Sequence, residues 1–189
     1  MFIRLSILSI WRVVDPIYYF MTRLQYVKTN DNKKAIFRVR LTKFKGNDVV
    51  LSDGTIIHKN DMLLKIHLHN VQLLKEMLKK EKHPLREIAI YKLVMSSMPF
   101  LAKYVKNHAE EQNIKGIVGI TMINKGVKKL GFDSVFPKNP IYRWFKKISQ
   151  LPIYMLSNSP FSIFKISKYQ PVYLLMSKEK LLDKYDPNP

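Results

Sequence analysis

Lys65, His67 and His69 occupy alternate positions of Met62–Asn70, MLLKIHLHN, and form the most reactive-looking surface in the sequence. In an extended strand these three side chains share one face, because successive side chains point to opposite sides. Imidazole titrates near neutrality, so His67 and His69 are candidate catalytic acids or bases, and Lys65 is a candidate contact for an anionic substrate group. The His-x-His spacing also suits two imidazoles on one metal, but a catalytic zinc takes a third protein ligand. His58, His83, His108, Asp53 and Asp61 stand at no diagnostic spacing, and Lys65 would repel a dication, so no metal site is assigned. The plainer alternative has one imidazole packed against backbone and the other beside an anion or a carboxylate.

Several elements must hold this face in place. Leu64, Ile66 and Leu68 fall on its reverse and belong in a core. Upstream, Phe37, Val39 and Leu41 alternate with Arg38, Arg40 and Thr42, which share a wet face; Arg38 and Arg40 are therefore candidate substrate contacts. Lys45–Asp48, Asp53-Gly54 and Asn60-Asp61 read as turns around Val49–Leu51 and Thr55–Ile57, an antiparallel meander of about four strands. Asn70 can cap a helix to about Lys80, with Val71, Leu74, Met77 and Leu78 inward. Pro84 opens a longer helix carrying Leu85, Ile88, Tyr91, Met95 and Met98, which Pro99 should end or kink before a further helix with Phe100, Leu101, Tyr104 and Val105.

Gly116–Ile123 reads as a buried strand, Asn124 as the cap of one or two helical turns, Gly131 as their left-handed stop, and Phe132–Phe136 as a strand. A helix starts at Asn139-Pro140, strands follow at Pro152–Leu156 and Val172–Met176, and a short charged helix begins at Lys178. A meander, then helices, then alternating strands and helices predict one α+β domain, an antiparallel or mixed sheet with helices packed on it. The domain is expected over 28–185, after an amphipathic helical segment at 1–27 and before a tail at 186–189.

Charge narrows the partners. Thirty-three Lys and Arg against fourteen Asp and Glu leave +19 over 189 residues, more than solubility requires and a field that suits an anionic partner. There is no cysteine, which excludes disulfides, thiolate nucleophiles and Cys-ligated zinc. The six glycines form no phosphate-binding loop, and no serine sits in a Gly-x-Ser-x-Gly elbow. Nucleic acid rests on charge alone and is not the expected partner, since no recognition motif appears.

Phe2–Val27 is apolar but interrupted by Arg4, Arg12, Asp15 and Arg23, too charged to span a bilayer or to read as a leader. As a helix it gathers Arg4, Arg12, Asp15, Thr22 and Arg23 into one stripe, with Trp11 and Tyr18 on the broad apolar face. That pattern suits packing on the domain or lying in a lipid headgroup layer, where Trp and Arg are favoured. Basic and aromatic residues recur together around Arg143, Trp144 and Lys147 and in Phe161–Tyr169. Trp11, Arg12, Arg23, Arg143, Trp144 and Lys147 are accordingly the candidate membrane contacts.

The segments DPIYYFMTRL, IFRVRLTKFKGNDVVLSDGTIIHKNDMLLKIHLHN, KGIVGITMINKGVKKLGF and YRWFKKISQLPIYMLS resemble the YkoP-like family of Firmicutes over nearly the whole chain. In that family the unit occurs alone or attached to polysaccharide deacetylase domains, which implies a cell-envelope, glycan or lipid context. The deacetylase metal motif is absent from this sequence. The order of strands and helices, ending in Leu130-Gly131-Phe132, is also similar to the second half of GNAT acyltransferases, although no pyrophosphate-binding glycine loop precedes a helix. The resulting expectation is an accessory module, cytoplasmic and peripheral at the membrane, that binds an anionic membrane surface or envelope polymer and needs no cofactor. The alternative is a GNAT-like acyltransferase using acyl-CoA on a lipid or amino-sugar substrate. Whether the chain is an enzyme stays open at the level of sequence.

Overall fold

The computed structural model describes residues 9, 16, 19–20, 22–69, 72–73, 83–121, 126–136 and 171–186. Their strands are β1 (Gln25–Lys28), β2 (Lys34–Lys43), β3 (Val49–Val50), β4 (Ile56–Ile57), β5 (Met62–Leu68), β6 (Gly116–Thr121), β7 (Asp133–Val135) and β8 (Val172–Ser177). The long helices among these residues are α1 (His83–Lys106) and α2 (Lys178–Tyr185). This is an α+β architecture in which six strands form one mixed sheet, in the order β1-β2-β5-β6-β8-β7. All neighbours are antiparallel except β5 and β6. That parallel pair requires a crossover, and α1 lies within it.

β5 is interior, bonded to β2 on one side and β6 on the other. Such a strand must be apolar on any face that is covered, and its composition follows. Leu64 is fully buried on the face that meets α1, with Ile66 and Leu68 packed beside it against Val39, Met98, Leu101, Val105, Ile117 and Met176. Each such fully buried side chain contributes about 1.5–3 kcal/mol.

Leu63 points the other way and is also fully buried, within a second cluster of Phe44, Leu51, Ile57, Val118 and Leu175. Here the structure departs from the expected four-strand meander. Among the described residues strands β3 and β4 pair only with each other, and β2 pairs directly with β5 from Phe37↔Leu68 to Lys43↔Met62. The physical cause lies at the base of the excursion, where Phe44 N–H donates to Asp61 O and Asn60 N–H to Phe44 O, closing β2 onto β5. The hairpin is thus free to cover Leu63 with Leu51 and Ile57. Its turn is at Asp53-Gly54 as expected, with Gly54 at φ +85°.

Gln25–Lys28, read from sequence as the end of a helical segment, is the strand at the sheet's edge. Pro99 lies inside α1 without ending it. A proline removes one helical hydrogen bond, and the fully buried Met98, Leu101, Ala102 and Val105 around it hold the helix on the sheet. By length and composition Ile88–Lys106 is apolar enough to cross a membrane, a test that core helices also pass. Residues 126–131 make successive i→i+3 bonds rather than α-helix, ending at Gly131 with φ +92°. Leu73 is buried, and Ser177 caps α2 by accepting from Lys180 N–H. The expected elements around 74–80, 139–150 and 152–169, and the capping Asn70 and Asn124, lie outside the described residues.

Candidate functional site

Strand register brings the sequence candidates together. Arg38 stands opposite His67, and Arg40 opposite Lys65, on the face of β2 and β5 that looks away from α1. Tyr26 on β1 is paired with Arg38 and extends the same face. Its ring meets that of His69 edge-on, with centroids 5.4 Å apart. No Asp or Glu occupies this face of the three strands.

Arg38 was expected on a wet face, yet only 3% of it is exposed. A buried guanidinium needs partners to offset its lost hydration. Tyr26 Oη accepts a hydrogen bond from Arg38 Nη2 at 2.6 Å. The Tyr26 and Tyr19 rings lie 4.8 and 5.3 Å from the guanidinium carbon, in cation–π range. Lys34 adds a further cation, 4.4 Å from the centre of the Tyr26 ring. The chain just before β1 closes this side: Thr22 O accepts from Arg40 Nη1 at 3.4 Å. Arg40 Nε is shut off from solvent and has no hydrogen-bond partner among the described residues. Lys65, His67, His69 and Arg40 are half-buried.

Chemically, the arrangement is a row of nitrogen donors flanked by tyrosine rings, and β1, β2 and β5 themselves contribute no carboxylate to it. It suits an oxyanion better than a cation. Among the described residues no group of three His, Asp or Glu is placed to hold a metal. The described third-ligand candidates are engaged elsewhere: His58 with Asp48 at 2.8 Å, Asp53 with Ser177, Asp61 with the His58 N–H, and His108 Nδ1 with the Glu110 N–H.

Arg23 is exposed, at φ +50°, where the chain leaves a helical turn for β1. Its N–H donates to Phe20 O, and Phe20 is 85% exposed. The other membrane candidates, Trp11, Arg12, Arg143, Trp144 and Lys147, lie outside the described residues.

Sequence reasoning missed Tyr26 as a site residue, because a strand hidden in an apparent helix gives no alternation to read. It also missed a polar cluster at the opposite end of the sheet. There Ser177, fully buried, donates to the Asp53 carboxylate, while Asp133 accepts from the N–H and hydroxyl of Ser52 at 3.1 and 3.0 Å. Lys180 reaches both Ser52 and Asp133. Burial pushes the Asp53 carboxyl up, but the bonds from Ser177 and Thr55 and the Lys180 charge outweigh it and leave the pKa below 3.8. With its hydroxyl committed to Asp53 and to the α2 cap, Ser177 fastens the β3–β4 turn to the sheet.

Comparison with known proteins gives one consistent result. A family model described as YkoP domain matches residues 4–185. A protein of Bacillus subtilis (strain 168) named "Uncharacterized protein YkoP" is 52% identical over 178 residues, which cover 94% of this chain and 95% of that protein. No solved structure matches the chain.

Proposed function

The chain belongs to the YkoP family, and from that membership, its charge and its basic face we propose an accessory module that docks on an anionic membrane surface or envelope polymer. The observation that carries this reading is the excess of cations. If each of the fourteen carboxylates neutralised one Lys or Arg, nineteen cations would remain. Among the described residues such pairs join Glu111 to Lys178, Asp133 to Lys180 and Asp186 to Lys106. Each Lys or Arg near anionic lipid contributes about 1 kcal/mol.

Exposed Phe20 beside exposed Arg23 favours the membrane over a polymer, since an aromatic side chain enters the headgroup layer while Arg meets phosphate. On this reading the protein is cytoplasmic and peripheral, and no cofactor takes part. Co-sedimentation of the full chain with phosphatidylglycerol and phosphatidylcholine vesicles tests it. Selective pelleting with the anionic vesicles is expected; equal pelleting with both, or none, removes the reading.

The single parallel pair, β5 with β6, in an otherwise antiparallel sheet favours a second reading, a GNAT-like acyltransferase acting on a lipid or amino sugar. His67 or His69 would then serve as base and Lys65 as an anion contact, with acyl-CoA as donor. Titration with acetyl-CoA discriminates the two: saturable binding supports the enzyme, and none removes it.

A further inference from the structure

The β3–β4 hairpin is apolar on both of its faces. Val49, Leu51 and Ile57 turn inward onto Phe44, Leu63, Val118 and Leu175. Side chains alternate along a strand, so Val50 and Ile56 turn outward, where strands that face water carry polar residues. The two stand directly opposite each other in the hairpin register and are 69% and 43% exposed. The turn between them is tied down, Ser52 to Asp133 and Lys180, and Asp53 to Ser177. The outward pair is thus presented on a fixed support.

This hairpin shares its side of the sheet with Phe20 and Arg23. Leu63, which it covers, lies on the same face of β5 as Lys65, and Arg40 stands opposite Lys65. Over that face runs the chain before β1, with the Tyr19 ring on Arg38 and Thr22 O bonded to Arg40 Nη1. Leu63 and His67 are about 13 Å apart along the strand, which sets the scale of the separation. Exposed Phe20 and the exposed Val50–Ile56 pair therefore face the same way, with α1 on the reverse of the sheet.

Small apolar points set apart suit a bilayer better than a protein partner, whose interface has a contiguous core. The charges agree. Lys45 and Lys59, at the base of the hairpin, are exposed and among the described residues pair with no carboxylate. The carboxylates nearby accept bonds from the fold, Asp48 from His58 and the Lys59 N–H, Asp61 from the His58 N–H, and Asp53 from Ser177.

We propose that the β3–β4 hairpin is a membrane-contacting element. Val50 and Ile56 enter the headgroup layer of an anionic bilayer alongside Phe20, while Lys45, Lys59 and Arg23 meet lipid phosphate. The inference rests on the docking reading and names the side of the sheet that makes the contact.

The chain has no cysteine, so one introduced cysteine carries an environment-sensitive fluorophore at a chosen position. Val50→Cys, and Ser96→Cys on the exposed surface of α1 as the control, are labelled in the full chain and mixed with phosphatidylglycerol vesicles. A blue shift at position 50 and none at position 96 is expected. Val50→Ser combined with Ile56→Ser adds no charge, and it should weaken co-sedimentation about tenfold while circular dichroism stays unchanged. Pelleting with position 50 silent, or a folded double variant that binds like wild type, overturns the hairpin contact and leaves the docking reading standing. No pelleting with anionic vesicles removes both.

Discussion

Replacing Asp53 with Ala removes the acceptor that holds a fully buried hydroxyl. In the native fold Ser177 donates to Asp53, which also accepts from Thr55 N–H at 3.0 Å. Leaving a buried donor unsatisfied costs about 1–3 kcal/mol. Asp53 itself is exposed, so solvent screens part of the interaction, and a loss near the middle, about 1.5 kcal/mol, is expected. For a chain of this size, about 2–4 °C per kcal/mol lowers the melting temperature by about 3–6 °C. Ser177→Ala removes the same bond together with the α2 cap, itself worth about 1 kcal/mol. Urea denaturation of wild type, both single variants and the double variant closes a thermodynamic cycle. A coupling of about 1 kcal/mol is expected; additivity within about 0.5 kcal/mol would refute the fastening of hairpin to sheet. Acid gives an independent arm. The folded pKa of Asp53 is depressed below 3.8, so its stabilisation is present above that value and is lost as pH falls through the folded pKa. The variant should therefore lose less stability than wild type below about pH 4.

Other substitutions probe separate parts of the structure. Gly131 sits at φ +92°, where a Cβ would come within 3.0 Å of Met176 Cε, so Gly131→Ala should destabilise by more than about 1 kcal/mol, and an unchanged urea midpoint contradicts this. Leu101→Ala in the core should cost about 2–5 kcal/mol, whereas Phe20→Ala on the surface should stay within about 0.5 kcal/mol. Tyr26→Phe deletes one acceptor of a buried guanidinium and should cost about 1.5–3 kcal/mol in thermal unfolding. In alkali, burial holds Tyr104 and Tyr185 protonated above their ordinary value of 10.0. Raised folded pKa values contribute stability below the unfolded value that is lost as pH rises through the folded one, so Tyr104→Phe should flatten the alkaline limb of the stability profile.

The central strand was legible because Leu64, Ile66 and Leu68 alternate with Lys65, His67 and His69, and period 2 survives any tertiary context. The Asp53-Gly54 turn was legible for a similar reason, since a positive φ demands particular residues. What escaped depended on distant partners. Gln25–Lys28 pairs with β2 yet follows an apolar stretch with helical spacing, so local pattern and long-range pairing disagreed. The burial of Arg38 required Tyr19 and Tyr26 to close over it, and nothing near Arg38 in sequence announces them. Pro99 was read as ending or kinking the helix because local chemistry favours either; α1 runs on through it, held on the sheet by its buried residues. Ser177 and Asp53 meet across 124 residues, beyond any motif.

The salt dependence of binding to phosphatidylglycerol vesicles tests the central claim most directly. Exposed charges are screened over about 8 Å at physiological ionic strength, so an association driven by the +19 excess must weaken steadily as salt rises. The account predicts tight binding at low salt that falls progressively with added salt and is absent for phosphatidylcholine. Affinity for the two lipids that is equal and unmoved by salt would contradict it.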